Sequence, residues 1–180
     1  YVNIDDKLGR FTNGHINGLK YPKDLPVKAL NTEQHYVLDA LTDPKIKLVT
    51  ITGKAGTGKT LLASGAGITQ VLNENFRKLV IARPIMPMGN DIGYLPGSKE
   101  EKLGPWMQPI FDNIEFLTEN RTNDKGVYSI EDMMEEGILE LEALTYIRGR
   151  TFHNQFLIID EAQNLSALEI KTIITRAGEN

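Results

Sequence analysis

Three short apolar runs stand out along the chain: LVTIT (48–52), KLVIARP (78–84) and FLII (156–159). Each is apolar, bounded by polar or turn residues and short, so each predicts a buried strand. LEALTYI (141–147) predicts a fourth. Between these runs the apolar residues recur at helical spacing. Asn31 is a good N-cap with Gln34 three positions on. Val37, Leu38 and Leu41 then form a stripe that Asp43-Pro44 ends. A second helix follows residue 58 and reaches about Glu74. Gly65 and Gly67 weaken it by about 1 kcal/mol each unless close packing on the sheet offsets them. Residues 99–118 have a helical pattern, which Pro105 and Pro109 are expected to break or restart. Trp106 within it reads as core, with a stacking platform as the second reading. Ser129 caps a short helix over 129–136. Ser166, with Glu169 three residues on, caps one over 166–177 that stops at Gly178. Strands alternating with helices predict an α/β fold with a mostly parallel sheet.

Two segments fall outside that alternation. Residues 1–28 are rich in Gly, Asn, Asp and Pro. YVNI (1–4) and GRF (9–11) predict short strands joined by a turn at Asp5-Asp6, and Tyr21 to Pro26 reads as a linker. This gives an N-terminal extension or linker over 1–28 and a main domain over 29–180. Residues 85–98 hold Pro87, Gly89, Gly93, Pro96 and Gly97, and predict a functional or mobile loop.

The chemistry concentrates after the first strand. Residues 53–60, GKAGTGKT, match the phosphate-loop pattern G-x-x-x-x-G-K-[ST] at Gly53, Gly58, Lys59 and Thr60. The spacing has a physical reason. Glycines at 53, 56 and 58 let the backbone wrap a phosphate chain with its N–H groups. The helix that begins there points its positive end at the same anion. The nucleotide-binding set is therefore Gly53, Lys54, Ala55, Gly56, Thr57, Gly58, Lys59, Thr60 and Leu61. Lys59 would reach the β- and γ-phosphates, and the Thr60 hydroxyl would ligate magnesium. Gln34 has two readings: a cap contact, or an amide that reads an adenine edge.

FLII runs into Asp160-Glu161. An acidic pair at a strand end, downstream of a phosphate loop, has a use: Asp160 holds magnesium opposite Thr60, and Glu161 orients and deprotonates a water. Gln163 either senses the γ-phosphate or begins the next helix. Arg83, Arg148, Arg150 and Arg176 are the cations available to neutralise developing charge, with Arg148 and Arg150 flanking a glycine.

Composition narrows the setting. With 180 residues and 41% hydrophobic content the chain can bury a core. No run approaches the roughly 20 apolar residues of a membrane helix. The absence of cysteine excludes disulfides and thiolate metal sites and fits the cytoplasm. The net charge of −4 argues against a basic coat for nucleic acid. Residues 112–142 alone carry ten acidic and two basic groups, so the remainder sums to +4. The acidic stretch reads as a solvated face or as a surface kept from phosphates.

Taken together, LNTEQ (30–34), LVTITGKAGTGKT (48–60), ARP (82–84), GNDIGYLPGSKEEKLGPWMQPIFDN (89–113), YIRGRTFHNQFLIIDEAQN (146–164) and IKTIITRAG (170–178) resemble the PhoH-like family of P-loop ATPases. The resemblance spans about residues 29–178. It implies a compact relative of superfamily 1 helicases: a three-layer, RecA-like P-loop NTPase that hydrolyses ATP with Mg2+ and acts on RNA. It gives Gln34 an adenine contact, places Arg176 among the nucleotide-binding residues, and makes Arg83-Pro84 similar to a nucleic-acid motif. Some members follow a PIN-type ribonuclease domain, and residues 1–28 look like the connector in those fusions. Some form homo-hexameric rings. In the family, the segment after TRAG continues into a further strand between the P-loop strand and the acidic strand. The chain is thus expected to be a fragment, with the C-terminal part of the sheet missing. Two other functions remain in view. One is an ATP-gated regulatory module of an attached or partner ribonuclease. The other is a P-loop small-molecule kinase, which Glu161 as a water activator disfavours.

Overall fold

The computed structural model describes residues 1–85, 99–119, 129–147 and 149–177, with the backbone alone for 99–105. Six strands and five α-helices are found there. They are β1 (Val2–Ile4), β2 (Lys7–Thr12), β3 (His15–Gly18), α1 (Thr32–Thr42), α2 (Lys59–Leu72), β4 (Lys78–Arg83), α3 (Lys99–Glu119), α4 (Ile130–Glu135), β5 (Leu139–Ala143), β6 (Gln155–Ile159) and α5 (Ala167–Ile174). Short 3₁₀ turns cover Leu144–Tyr146 and Ala162–Asn164. Most of the loop expected over 85–98 lies outside the described residues, as do Arg148 and Gly178.

The main sheet has the order β5-β4-β6 and is parallel throughout. Ile81 of the central strand faces Leu141 on one side and Ile158 on the other. Alternate residues of β4 enter two separate cores, as the strand period requires. Leu79 and Ile81 join the larger cluster with Leu62, Ile68 and Val71 of α2 and Ile110, Ile114 and Leu117 of α3. Val80 and Ala82 join Leu144, Ile147 and Phe152, against which Ile173 packs. Both faces of β4 are buried, which explains its unbroken apolar run.

Gly65 and Gly67 allow α2 to approach closely. A Cβ on Gly67 would lie 2.7 Å from Leu79 Cδ1 and 3.1 Å from Phe156 Cδ1. One on Gly65 would lie 2.7 Å from Val27 Cγ1. The close packing on the sheet expected of both glycines is found at Gly67, whereas Gly65 faces Val27 and Leu117 instead.

Four expectations need correction. LVTIT (48–52) forms no ladder among the described residues, although Ile51 packs on the larger core; Leu48 is 63% exposed. A strand is defined by its partner, and this run and β6 do not pair. The run at 141–147 is a strand over 139–143 followed by a 3₁₀ turn. Its last ladder pair is Arg83 with Ala143, so the strand ends where its partner does. Pro105 and Pro109 do not interrupt α3, which is continuous from 99 to 119. Met107, Ile110, Ile114 and Leu117 are at most 1% exposed. Burying four such side chains contributes about 6–12 kcal/mol, against about 3 for each proline. Helix α5 stops at Ile174, because the chain turns to bridge Ala177 with Phe152.

The N-terminal strands form an antiparallel meander, β1-β2-β3. Both turns have two consecutive residues with positive φ: Asp5 and Asp6, then Asn13 and Gly14. That is the twist a two-residue hairpin needs. The meander docks on α1 through Asp39, which is 4% exposed. Asp39 accepts hydrogen bonds from the Tyr1 hydroxyl (3.0 Å) and the Lys20 amide (2.8 Å), and lies 3.1 Å from Arg10 Nη1. Tyr1 also stacks on Tyr36. We expect Asp39→Ala to remove about 2–4 kcal/mol from this contact, since Arg10 and the Tyr1 hydroxyl lose a buried partner. Amide exchange should accelerate across residues 1–20 and much less in β4. Unchanged protection in the meander would contradict this anchor.

Candidate functional site

The phosphate loop begins after Thr52 and ends in the first turn of α2. Gly56 and Gly58 have φ of 74° and 76°, the left-handed region where a side chain is strained. Gly58 is the N-cap residue of α2. A Cβ on Gly53 would lie 3.3 Å from Thr57 Oγ1, which instead donates to the Lys54 carbonyl at 2.9 Å. Lys59 Nζ donates to the carbonyls of Gly53 (2.9 Å) and Lys54 (2.8 Å). Its ammonium thus sits over the loop that would hold phosphate. Lys54, Ala55, Gly56 and Thr57 are exposed, whereas Leu61 packs on the larger core.

Gln34 is tied to this loop. Its Oε1 accepts from the Leu30 amide at 2.6 Å, and its Nε2 donates to the Thr57 carbonyl at 3.3 Å. The start of α1 is thereby fastened to the phosphate loop. The expected N-cap is present, with Asn31 Oδ1 accepting from the Gln34 amide at 2.9 Å.

The acidic half arrives from β6. Asp160 N donates to the Ala82 carbonyl at 2.9 Å, so the ladder with β4 extends to the acid. Thr60 Oγ1 donates to Asp160 Oδ1 at 2.8 Å, joining residues 100 apart in sequence. Glu161 follows in the left-handed conformation, φ 53° and ψ 35°, which is costly for a glutamate. Gln163 Nε2 donates to Glu161 Oε2.

Arg83 closes the site from the end of β4. Its Nε is 3.7 Å from Asp160 Oδ2, and its Nη2 is 3.6 Å from Glu161 Oε1. Nη1 donates to the Trp106 carbonyl at 3.0 Å, and the guanidinium lies 5.4 Å from the Trp106 ring centre. Trp106 Nε1 donates to the carbonyl of buried Pro84 at 3.2 Å. Arg83 and Pro84 are therefore engaged with the acids and with α3. Trp106 is half-buried and serves as a platform for Arg83, not as core alone. Nothing in the sequence spacing announces that pairing, because Trp106 reaches Arg83 only through the fold.

The other arginines lie elsewhere. Arg150 hydrogen-bonds Glu140 and stands 3.9 Å from Glu142, both on β5, with β4 between it and the strand of Asp160. Arg176 Nη1 is 3.5 Å from the Arg150 carbonyl. The structure thus gathers Lys59, Thr60, Asp160, Glu161, Gln163, Arg83 and Gln34, but not Arg150 or Arg176.

A parallel sheet with an acid pair at the end of β6, beside a glycine-rich loop and its lysine at the start of α2, fits the P-loop nucleoside triphosphatase class. The chain belongs to the PhoH family: residues 26–180 match the family described as PhoH-like protein. It is 51% identical to Protein PhoH2 of Bacillus subtilis, over 99% of this chain and 39% of that protein. It is 41% identical to Protein PhoH2 of Mycolicibacterium smegmatis, over 84% and 34% respectively. It is 33% identical to Protein PhoH of Escherichia coli K12, over 86% and 42%. The chain thus spans well under half the length of these relatives. Among the described residues no helix is long and apolar enough to cross a membrane.

The Glu140 cluster yields a pH prediction. The Arg150 hydrogen bond holds the Glu140 carboxyl down at about 2, helped by Lys78 at 2.7 Å and opposed by burial. A lowered carboxyl stabilises the fold above its unfolded value near 4.5, and the contribution fades as pH falls toward 2. Glu140→Gln should cost on the order of 1–2 kcal/mol at pH 7, kept small because Arg150 is 37% exposed and screened. Urea unfolding at pH 7 and pH 3 checks this: the gap between variant and wild type should narrow at pH 3. An equal gap at both would contradict it.

Proposed function

We propose that this domain binds and hydrolyses ATP with magnesium, and that the hydrolysis drives an RNA-directed motor. The observation that carries the ATPase reading is the 2.8 Å contact between Thr60 Oγ1 and Asp160 Oδ1, beside a loop lysine and a second carboxylate. Thr60 and Asp160 offer two hard oxygen donors at one point, the donor type magnesium takes; it commonly keeps several waters and uses few protein ligands. When bound there, magnesium would neutralise the phosphate oxygens. Cores on both faces of β4 support a three-layer, RecA-like arrangement.

The residues divide the work. The loop amides of 53–60 cradle the phosphates, and Lys59 exchanges its contacts with the Gly53 and Lys54 carbonyls for phosphate oxygens. Gln34 stands beside the loop at Thr57, where an adenine contact is within its reach. Glu161 orients the attacking water and takes its proton. Gln163, bound to Glu161 Oε2, fixes that carboxylate.

The RNA-directed part rests on the helicase-like motif blocks. The same resemblance suggests a homo-hexameric ring and a PIN-type ribonuclease domain upstream. An ATP-gated regulatory module for such a nuclease is the second reading, favoured by the packing of α1 against both the N-terminal meander and the phosphate loop.

ATP turnover of the full-length protein, with and without single-stranded RNA, separates these readings. We expect turnover to need magnesium and to rise several-fold with RNA. Lys59→Ala should abolish tight ATP binding. Glu161→Gln should keep binding and lower kcat by about 10²–10⁴. Normal hydrolysis by Glu161→Gln would overturn the base assignment, and indifference to RNA would overturn the motor.

A further inference from the structure

Arg83 and Trp106 are left without a task by the hydrolytic scheme, yet they touch its centre. Both carboxylate oxygens of Glu161 are engaged: Oε2 by Gln163, and Oε1 by Arg83 at 3.6 Å. Glu161 is also held in the left-handed conformation, which a glutamate leaves readily unless neighbours hold it. Arg83 can hold it only if Arg83 is itself fixed. Its anchors are on α3, namely the Trp106 carbonyl and the Trp106 ring. The indole in turn is oriented by its hydrogen bond to the Pro84 carbonyl, the residue after Arg83. The loop of contacts is closed: Pro84, just after β4, orients the indole, the indole orients the guanidinium, and the guanidinium orients the acid.

The contacts are also uneven. Among the described residues Arg83 Nε is buried with no hydrogen-bond partner, and the two ion pairs of Arg83 found there are longer than hydrogen bonds. A planar guanidinium with a donor to spare can shift between two carboxylates without leaving its aromatic platform. Asp160 is shared between Thr60 and Arg83. A cation arriving at the Thr60–Asp160 point would repel the guanidinium and push it toward Glu161 and across the indole.

We infer that Arg83 and Trp106 are positioning residues that set Glu161 and transmit the nucleotide state of the site to α3. The inference rests on the ATPase reading and deepens it. Neither side chain touches the reacting atoms in this role. Arg83 differs from a phosphate-binding arginine, which would contribute to nucleotide affinity as well as to rate.

The test uses steady-state kinetics and tryptophan emission on the full-length protein. Trp106 is the one tryptophan of these 180 residues, and any outside them is replaced by phenylalanine. Arg83→Met should lower kcat at least tenfold with KM for ATP within about threefold, since misplacing a catalytic group by about 1 Å costs on that scale. Trp106→Leu should move kcat the same way by less. Trp106→Phe, which keeps a ring under the guanidinium, should restore most of it. A non-hydrolysable ATP analogue with magnesium should change Trp106 emission in the wild type, and not in Arg83→Met that still binds the analogue. The inference is overturned if kcat is unchanged in Arg83→Met, or if KM rises as much as kcat falls. It is also overturned if the bound analogue leaves Trp106 emission unaltered. Failure of the wild type to bind the analogue would instead overturn the ATP reading, and this inference with it.

Discussion

One hydrogen bond, from Thr60 to Asp160, ties the two halves of the site together. One partner sits in the first turn of α2 and the other at the end of β6. Their meeting requires α2 to lie close to the sheet. Gly67 permits this, because a side chain there would run into Leu79 and Phe156. The geometry of the phosphate loop and the packing of the helix behind it are therefore one problem.

The site also concentrates opposite charge. Asp160 and Glu161 are adjacent in sequence, and Arg83 stands within 4 Å of both. Both pairings are longer than hydrogen bonds and Glu161 is 39% exposed, so solvent screens the Glu161 pairing and its net contribution is modest. That attraction offsets part of the repulsion between the two acids. It also makes Arg83 sensitive to any further cation at Asp160. The second ionic cluster, Lys78, Glu140, Glu142 and Arg150, links β4 to β5, the neighbour of β4 opposite the strand of the acid pair.

Much of this was legible in residue order. The run at 78–83 is a strand buried on both faces, the run at 156–159 pairs beside it while only Ile158 is fully buried, and the capping residues Asn31, Ser129 and Ser166 act as their chemistry dictates. The loop at 53–60 and the acids at 160–161 were legible because their spacing encodes a local geometry. What escaped was set by distant partners. LVTIT has a strand's composition but no described neighbour to pair with. Pro105 and Pro109 sit in a helix whose buried face outweighs them. The third strand of the meander was missed, although Asn13-Gly14 is a strong hairpin signal. The partnership of Arg83 with Trp106 depends on α3 crossing the end of β4, which no local pattern encodes.

The central claim is that Thr60 and Asp160 together form the point at which magnesium joins the nucleotide. The most direct measurement is the affinity for ATP with and without magnesium, in the wild-type protein and in Asp160→Asn. Magnesium should strengthen binding in the wild type, and the variant should lose most of that gain while its magnesium-free affinity stays near the wild-type value. An identical gain from magnesium in both proteins would contradict the account.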